Sequence, residues 1–115
     1  MVFEVNLMKP EETIEQYLRT RAEQLGFLCY KFTSPGNNGV PDRILIGHGS
    51  TIFIETKAPG EKPRKLQEKV IERINNHGGI AMFVDNKNDI DTILEAIIKQ
   101  KNNREKTSRK KVSSK

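Results

Sequence analysis

The sequence predicts a mixed α/β domain in which helices pack on one four-stranded sheet, in the order helix, three strands, helix, strand, helix. Two observations lead to this prediction. Three stretches carry apolar residues at helical spacing, and four short runs are rich in β-branched and aromatic residues. The length of 115 residues suits a single domain with a modest core.

The first half of the chain is predicted to form one helix and then three strands. Pro10, followed by Glu11 and Glu12, marks a helix start, because proline suits the first turn and acids there face the positive end of the helix dipole. Gly26 is placed to end this helix. The short turn GHGS makes the second and third strands an antiparallel hairpin. The strand segments are FLCYKF (27–32), RILIG (43–47) and TIFIETK (51–57).

The second half of the chain is predicted to form a helix, a strand and a final helix. The segment KLQEKVIERINNH (65–77) has a helical apolar stripe that ends before Gly78. The run IAMFVD (80–85) is the most apolar and predicts an interior strand, and apolar residues from about residue 88 predict the last helix. Because a helix leads into the fourth strand, that strand is expected to run parallel to the third.

The composition of the chain and the character of its two ends exclude some classes of protein. The formal net charge is +5, and residues 101–115 are almost wholly polar and basic, which predicts a disordered tail after a domain over residues 1–100. The segment MVFEVNL (1–7) is expected to be an edge strand or an extension exchanged between subunits. The single cysteine excludes an intrachain disulfide. No signal peptide or membrane-spanning run is found, so a cytoplasmic protein with no membrane partner is expected.

Three charged residues lie in or beside predicted core strands, where burial of a charge is costly. Asp42 precedes RILIG, and Glu55 and Lys57 lie in TIFIETK. Alternate residues of a strand share a face, so Glu55 and Lys57 point the same way, and the hairpin brings Asp42 towards them. Converging carboxylates predict a site for Mg²⁺ or Mn²⁺, beside which Lys57 would orient water or stabilise charge on a phosphate. The alternative is a surface ion pair at a sheet edge.

The segments GVPDR (39–43) and ETKAPG (55–60), with Gln67 in the next helix, resemble the PD-(D/E)XK nuclease signature and, within it, the virus-type replication-repair nuclease (VRR-Nuc) domain. The resemblance covers about residues 11 to 85 and shows no departure at the core motif. It implies a restriction-endonuclease-like αβββαβα core. It also implies a Mg²⁺- or Mn²⁺-dependent endonuclease, a homodimer that cuts branched DNA such as four-way junctions, in a bacterial or phage-infected cell.

The same resemblance implies a role for each residue of the motif. Asp42 and Glu55 would bind the metal, with the backbone carbonyl of Thr56 as a further ligand. Lys57 would be the catalytic lysine, and Gln67 would orient substrate or water. For Gln67, an exposed helix residue without a role is the alternative.

An acid on the first helix would complete the metal site. Glu15 is the residue selected, and Glu12, three residues earlier on the same face, is the alternative. Both are also compatible with a solvated helix face.

Several polar and basic residues around the motif are candidates for contact with DNA. Cations beside the free amides of a helix start can hold a phosphate backbone, although ordinary surface charge is the alternative for each of them. The candidates are Lys31, Ser34, Arg43, Lys62, Arg64 and Lys65.

Two other functions compete with a structure-selective nuclease. A non-catalytic nucleic-acid-binding module would use the basic residues but has no need for acids facing Lys57. A restriction-type nuclease of the same fold would cut at a fixed sequence, with its sequence specificity supplied by a partner.

Overall fold

The computed structural model describes residues 8–113, with side chains described as far as residue 107. The order of elements confirms the predicted mixed α/β fold. The segment MVFEVNL and the last two residues of the predicted tail lie outside the described residues. The elements are α1 (Pro10–Gln24), β1 (Leu28–Lys31), β2 (Arg43–Gly47), β3 (Ser50–Thr56), α2 (Lys65–Asn76), β4 (Ala81–Val84) and α3 (Lys87–Ser113).

The four strands form one mixed sheet in the order β1-β2-β3-β4. β2 is antiparallel to both β1 and β3, and β4 is parallel to β3, as expected for strands that are joined through a helix. Arg43, the first residue of β2, pairs with Ile54 of β3. This register brings Asp42, one residue earlier in the chain, beside the end of β3 that carries Glu55 and Thr56.

One face of the sheet forms the apolar core with α1 and α3. Leu45, Ile52 and Ile54 point to this face and are almost completely buried. Leu18 from α1 and Leu94 from α3 pack into the same cluster. Removal of this apolar surface from water is the main source of stability for a domain of this size.

The helix α2 lies on the other face of the sheet, next to β4. The side-chain amide of Asn75 donates to the Ala81 carbonyl at 2.9 Å and accepts from the Ala81 N–H at 2.8 Å, which fixes the end of α2 to the start of β4. Gln67 is the one buried residue of α2, and Leu66 beside it is 50% exposed. Polar contacts therefore hold α2 in place more than deep apolar packing does.

The helix α3 continues through Ser113, whereas the composition of residues 101–115 predicts a disordered tail. A helix that is already packed on the core extends at little cost per residue, and lysine, arginine, glutamine and glutamate are good helix formers. The ion pair between Lys101 and Glu105, 3.7 Å apart and one turn along the helix, adds to this. Within residues 8–113, no helix is both long enough and apolar enough to cross a bilayer.

The loop between β1 and β2 approaches the first turn of α2 at Gly39. Gly39 has a φ of +87°, and a Cβ there would lie 2.9 Å from Leu66 Cγ and 3.2 Å from the Leu66 carbonyl oxygen. Gly36, in the same loop, has a φ of +81° but nothing within 4 Å of a Cβ. Gly39 therefore allows a close contact between this loop and α2, and Gly36 does not take part in it.

We expect Gly39→Ala to lower the free energy of unfolding by about 2–5 kcal/mol, because left-handed strain and overlap with Leu66 add together. Gly36→Ala should cost only about 1–2 kcal/mol, from backbone strain alone. Urea unfolding of the two variants beside the parent protein measures both values. Equal losses in the two variants would show that the contact with Leu66 contributes nothing.

Candidate metal centre

Three carboxylates converge where the end of β3, the start of β2 and the first turn of α1 meet. One oxygen each from Glu11, Asp42 and Glu55 lies within 4.8 Å of the others. Glu55 is 3% exposed, whereas Asp42 is half-buried and Glu11 is exposed. Hard divalent cations prefer such sets of carboxylate oxygens, and the exposed side of the group leaves a path for an ion to enter.

The two oxygens of Glu55 have different surroundings. Oε2 accepts a hydrogen bond from Gln67 Nε2 at 2.9 Å and lies 3.4 Å from Lys57 Nζ. Oε1 is buried and has no hydrogen-bond partner among the described residues. Burial first, and then the neighbouring Asp42 carboxyl group, raise the pKa of Glu55 to about 8, against the opposing effect of Lys57.

A divalent cation fits this arrangement. An unpaired buried oxygen costs free energy, and so does a buried carboxylate beside a second one. A cation bound between Glu11, Asp42 and Glu55 would give Oε1 a partner and would offset the repulsion between the acids. The donor set consists of oxygens alone, which suits Mg²⁺ or Mn²⁺.

Asp42 is held in place by Thr56. The Thr56 hydroxyl donates to Asp42 Oδ2 at 2.8 Å, and the Thr56 N–H donates to the same oxygen at 3.3 Å. Thr56 thus contacts the site through its side chain and amide. A role for its backbone carbonyl as a metal ligand stays a prediction.

Gln67 and Lys57 are buried beside Glu55, each about 8% exposed. Besides its bond to Glu55, the Gln67 amide accepts through Oε1 from the N–H of Arg64, at the start of α2, at 2.9 Å. Both ends of the amide are used, so Gln67 links the start of α2 to the acid of β3. Its burial contrasts with the alternative of a solvated helix residue.

The structure brings Glu11 to the acid group, whereas the sequence analysis selected Glu15. Glu15 Oε2 instead lies 3.3 Å from Nε of Arg43, in an ion pair beside the sheet, and Glu12 is exposed. Residues four apart share a helix face but differ by one turn along the axis, so Glu11 is one turn nearer the start of α1. The helical face was predictable, but the distance of each turn from β3 depends on how α1 packs.

The candidate DNA contacts fall into different surroundings. Arg43 is engaged with Glu15, and its side chain is 11% exposed. Arg64 lines an open cavity of about 490 Å³ together with Asp42 and Glu55. Ser34 lines a neighbouring groove and accepts a hydrogen bond from Asn37 at 3.0 Å. Exposed lysines account for the remaining candidates, Lys31, Lys62 and Lys65.

The two histidines, to which the sequence analysis assigns no role, make local contacts with the backbone. His48, in the β2–β3 turn, lies 2.6 Å through Nε2 from the Leu25 carbonyl oxygen, and its ring packs on Phe27 at a centroid distance of 4.7 Å. His77 lies 2.8 Å through Nδ1 from the Arg73 carbonyl oxygen at the end of α2. Neither belongs to the acid group.

Comparison with known proteins identifies the class. No protein-family model matches the chain. "Putative nuclease p44" of Acyrthosiphon pisum secondary endosymbiont phage 1 is 40% identical over 88 residues, which are 76% of this chain and 94% of that protein. A solved structure titled "VRR_NUC domain" matches with a TM-score of 0.70 at 28% identity, over 76% of this chain and 97% of that one. Another, titled "VRR_NUC domain protein", shares the fold with a TM-score of 0.65 at 17% identity, over 79% and 89% of the two chains.

The fold and the acids beside a buried lysine define a nuclease of the PD-(D/E)XK class. Within that class, the chain belongs to the VRR-Nuc family.

The pKa of Glu55 predicts how the stability of the metal-free protein depends on pH. Its value rises from an ordinary 4.5 to about 8 on folding, so between these limits the folded chain binds more protons than the unfolded chain. The free energy of unfolding should therefore fall as pH rises through this window. In Glu55→Gln, the decrease in the free energy of unfolding over this pH range should be smaller by on the order of 1–3 kcal/mol.

Urea unfolding at pH 5 and pH 8.5 with a chelator measures the effect. Glu95→Gln, at an exposed position on α3, is the matched control and should keep the parent's dependence. The same fall with pH in Glu55→Gln as in the parent would contradict the raised pKa.

Proposed function

We propose that this protein is a metal-dependent endonuclease that hydrolyses phosphodiester bonds in DNA. One observation carries the proposal: the buried Oε1 of Glu55, which has no hydrogen-bond partner in the described part of the chain, lies in a group of three carboxylates beside the Lys57 ammonium. A surface ion pair would leave both Glu55 and Lys57 in water, and they are buried. A binding module would gain nothing from acids at a DNA contact, since they repel phosphate.

Glu11, Asp42 and Glu55 would hold Mg²⁺ or Mn²⁺, with the Thr56 carbonyl as a further ligand. When bound, the ion supplies Lewis acidity to a phosphoryl oxygen and lowers the pKa of water. Burial favours the protonated, uncharged form of Glu55. Because carboxylate ligands must be ionised, Glu55 would release its proton when the ion binds.

The side chains around the acids have distinct roles in this mechanism. Lys57 Nζ lies 3.4 Å from Glu55 Oε2 and would orient the attacking water and stabilise the charge that develops on the phosphate. Gln67 fixes the orientation of the Glu55 carboxylate, and Thr56 fixes that of Asp42. Arg64, which lines the cavity with the acids, is placed to bind a neighbouring phosphate.

The proposed substrate is branched DNA, such as a four-way junction, and the proposed active form is a homodimer. A two-fold pair of subunits would carry two equivalent sites for two opposed strands. Backbone charge would supply most of the affinity, given the net charge of +5, with the exposed Lys31, Lys62 and Lys65 as further contacts. The phage origin of the p44 relative supports a place in the cytoplasm of a bacterial or phage-infected cell.

The first experiment is a cleavage assay on linear duplex, single strand, flap and four-way junction of matched sequence. We expect cleavage of the junction with Mg²⁺ or Mn²⁺ and none with a chelator. Asp42→Ala and Lys57→Ala should each lower the rate by at least about a hundredfold, because each removes a group that stabilises developing charge. Lys99→Ala, which removes the same charge from α3 as Lys57→Ala removes from the site, should retain the rate.

The outcomes of this assay separate the competing functions. Equal cutting of every DNA would retain the nuclease and reject the preference for branched DNA. Cutting at one fixed sequence would favour the restriction-type nuclease. DNA binding without cleavage in any metal, unchanged in Asp42→Ala, would reject the nuclease in favour of the binding module.

The third acid of the metal site has a test of its own. Glu11→Gln should weaken Mn²⁺ binding by about tenfold or more in calorimetric titration, because one ionised ligand is lost. Glu15→Gln and Glu12→Gln should change it by less than about twofold, because neither side chain belongs to the group. A loss in Glu15→Gln with none in Glu11→Gln would assign the role to Glu15.

A further inference from the structure

A groove lies beside the active-site cavity, between α2 and residues 34–40 of the β1–β2 loop. Its volume is about 480 Å³, close to that of the cavity with the acids. The two spaces share Asn38, Val40 and Leu66 in their linings, so the groove opens directly from the metal centre. A strand of DNA with its scissile phosphate at the acids could continue into the groove without leaving the protein surface.

The lining of the groove combines cations, amides and apolar side chains. Lys69 and Arg73, four residues apart on α2, stand on one side, and neither has an ion pair among the residues that the structure describes. Val40, Leu66 and Val70 supply the apolar part. None of the described residues that line the groove is acidic. The two cations therefore suit phosphate groups. The apolar side chains suit an apolar part of a ligand, which a phosphate group does not have.

Leu66 stands at the boundary between the cavity and the groove. It is 50% exposed, and it is adjacent in sequence to Gln67, whose amide contacts Glu55. Gly39 is so close to Leu66 that a methyl group added at position 39 would overlap the leucine side chain. A single exposed leucine is ordinary on a protein surface, but this one packs against Gly39 and lines both the groove and the cavity with the acids.

We propose that this groove binds an unpaired nucleotide next to the scissile phosphate, with Leu66 against its base and Lys69 and Arg73 on its phosphates. The inference rests on the proposed nuclease function and specifies its substrate. A continuous duplex presents phosphates and sugars and keeps its bases stacked, so it offers nothing to the apolar lining. An unpaired nucleotide exposes an apolar ring face and a polar edge, which match Leu66 and the amide of Asn38.

The consequence is a preference among branched substrates. DNA with unpaired nucleotides at the branch would gain contacts that a fully paired branch cannot make. An apolar side chain inserted beside a base step also favours DNA that is already unstacked, because less stacking is lost.

The test compares two three-way junctions of the same sequence, one fully paired and one with three unpaired nucleotides at the branch. The parent protein should cut the second with a kcat/KM about five- to a hundredfold higher, which is the range that stacking of one base supplies. Leu66→Ala and the double variant Lys69→Ala/Arg73→Ala should abolish most of that ratio. Leu66→Ala should change the rate on the fully paired junction by less than about threefold, whereas the double variant also loses contacts with the phosphates of paired DNA and should slow cleavage of both junctions.

Matched controls lie elsewhere on the molecule. Leu28→Ala removes a leucine that is equally exposed, at 51%, on β1. Lys99→Ala removes a cation from α3. Both controls should keep the full preference for unpaired nucleotides.

A binding measurement without cleavage gives a second readout. The fluorescent base 2-aminopurine at the unpaired position should change its emission when the parent protein binds in the presence of Ca²⁺. Leu66→Ala should lose most of that change, and Leu28→Ala should not.

The results separate this inference from the proposed function. Loss of cleavage in Leu66→Ala by the same factor on both junctions would overturn the inference and leave the nuclease intact. Equal parent rates on the two junctions would do the same. If the parent cuts no DNA at all, the proposed function fails, and an unchanged 2-aminopurine signal in Leu66→Ala would then reject the groove as well.

Discussion

The buried carboxylate of Glu55 is the group on which the rest of the site depends. It lies at the end of the central strand β3, out of water, with Gln67 and Lys57 on one oxygen and, among the residues that the structure describes, no hydrogen-bond partner on the other. A buried acid in these surroundings holds its proton to a pKa of about 8, against the pull of Lys57. Without a cation this arrangement costs stability. With one, the same burial keeps water out and strengthens every charge interaction at the site.

The fold supplies the supports of this group from both faces of the sheet. Glu11 comes from α1, which packs on the core side, and Gln67 comes from α2 on the other side. Thr56, in the same strand as Glu55, holds Asp42. The site therefore needs all three layers of the molecule in register, and a shift of either helix would separate these side chains.

The two faces of the sheet are built for different tasks. The face under α1 and α3 carries the fully buried side chains, such as Leu45 and Leu94, and provides the stability. The face under α2 is thinly covered, so Leu66 and the cations of that helix remain accessible. Sparse packing on that side is consistent with a ligand-binding surface, because exposed side chains of α2 are available to contact a ligand.

The sequence by itself determined the order of the elements, the mixed sheet and the motif residues Asp42, Glu55 and Lys57. Apolar periodicity fixes helices and strands, and the alternation of a strand puts Glu55 and Lys57 on one face. These properties depend on residues that are close in the chain. The motif resemblance added Gln67, whose link to Glu55 joins elements that no local pattern connects.

Only the tertiary structure decided which acid of α1 reaches the group. Glu11 and Glu15 share a helical face, and the choice between them depends on how far α1 extends past the end of β3, which is set by core packing. Packing likewise engages Arg43 with Glu15 and joins the groove along α2 to the metal centre. The helical course of α3 beyond residue 101 also departs from what composition indicates, because a helix anchored on a core extends at little cost per residue.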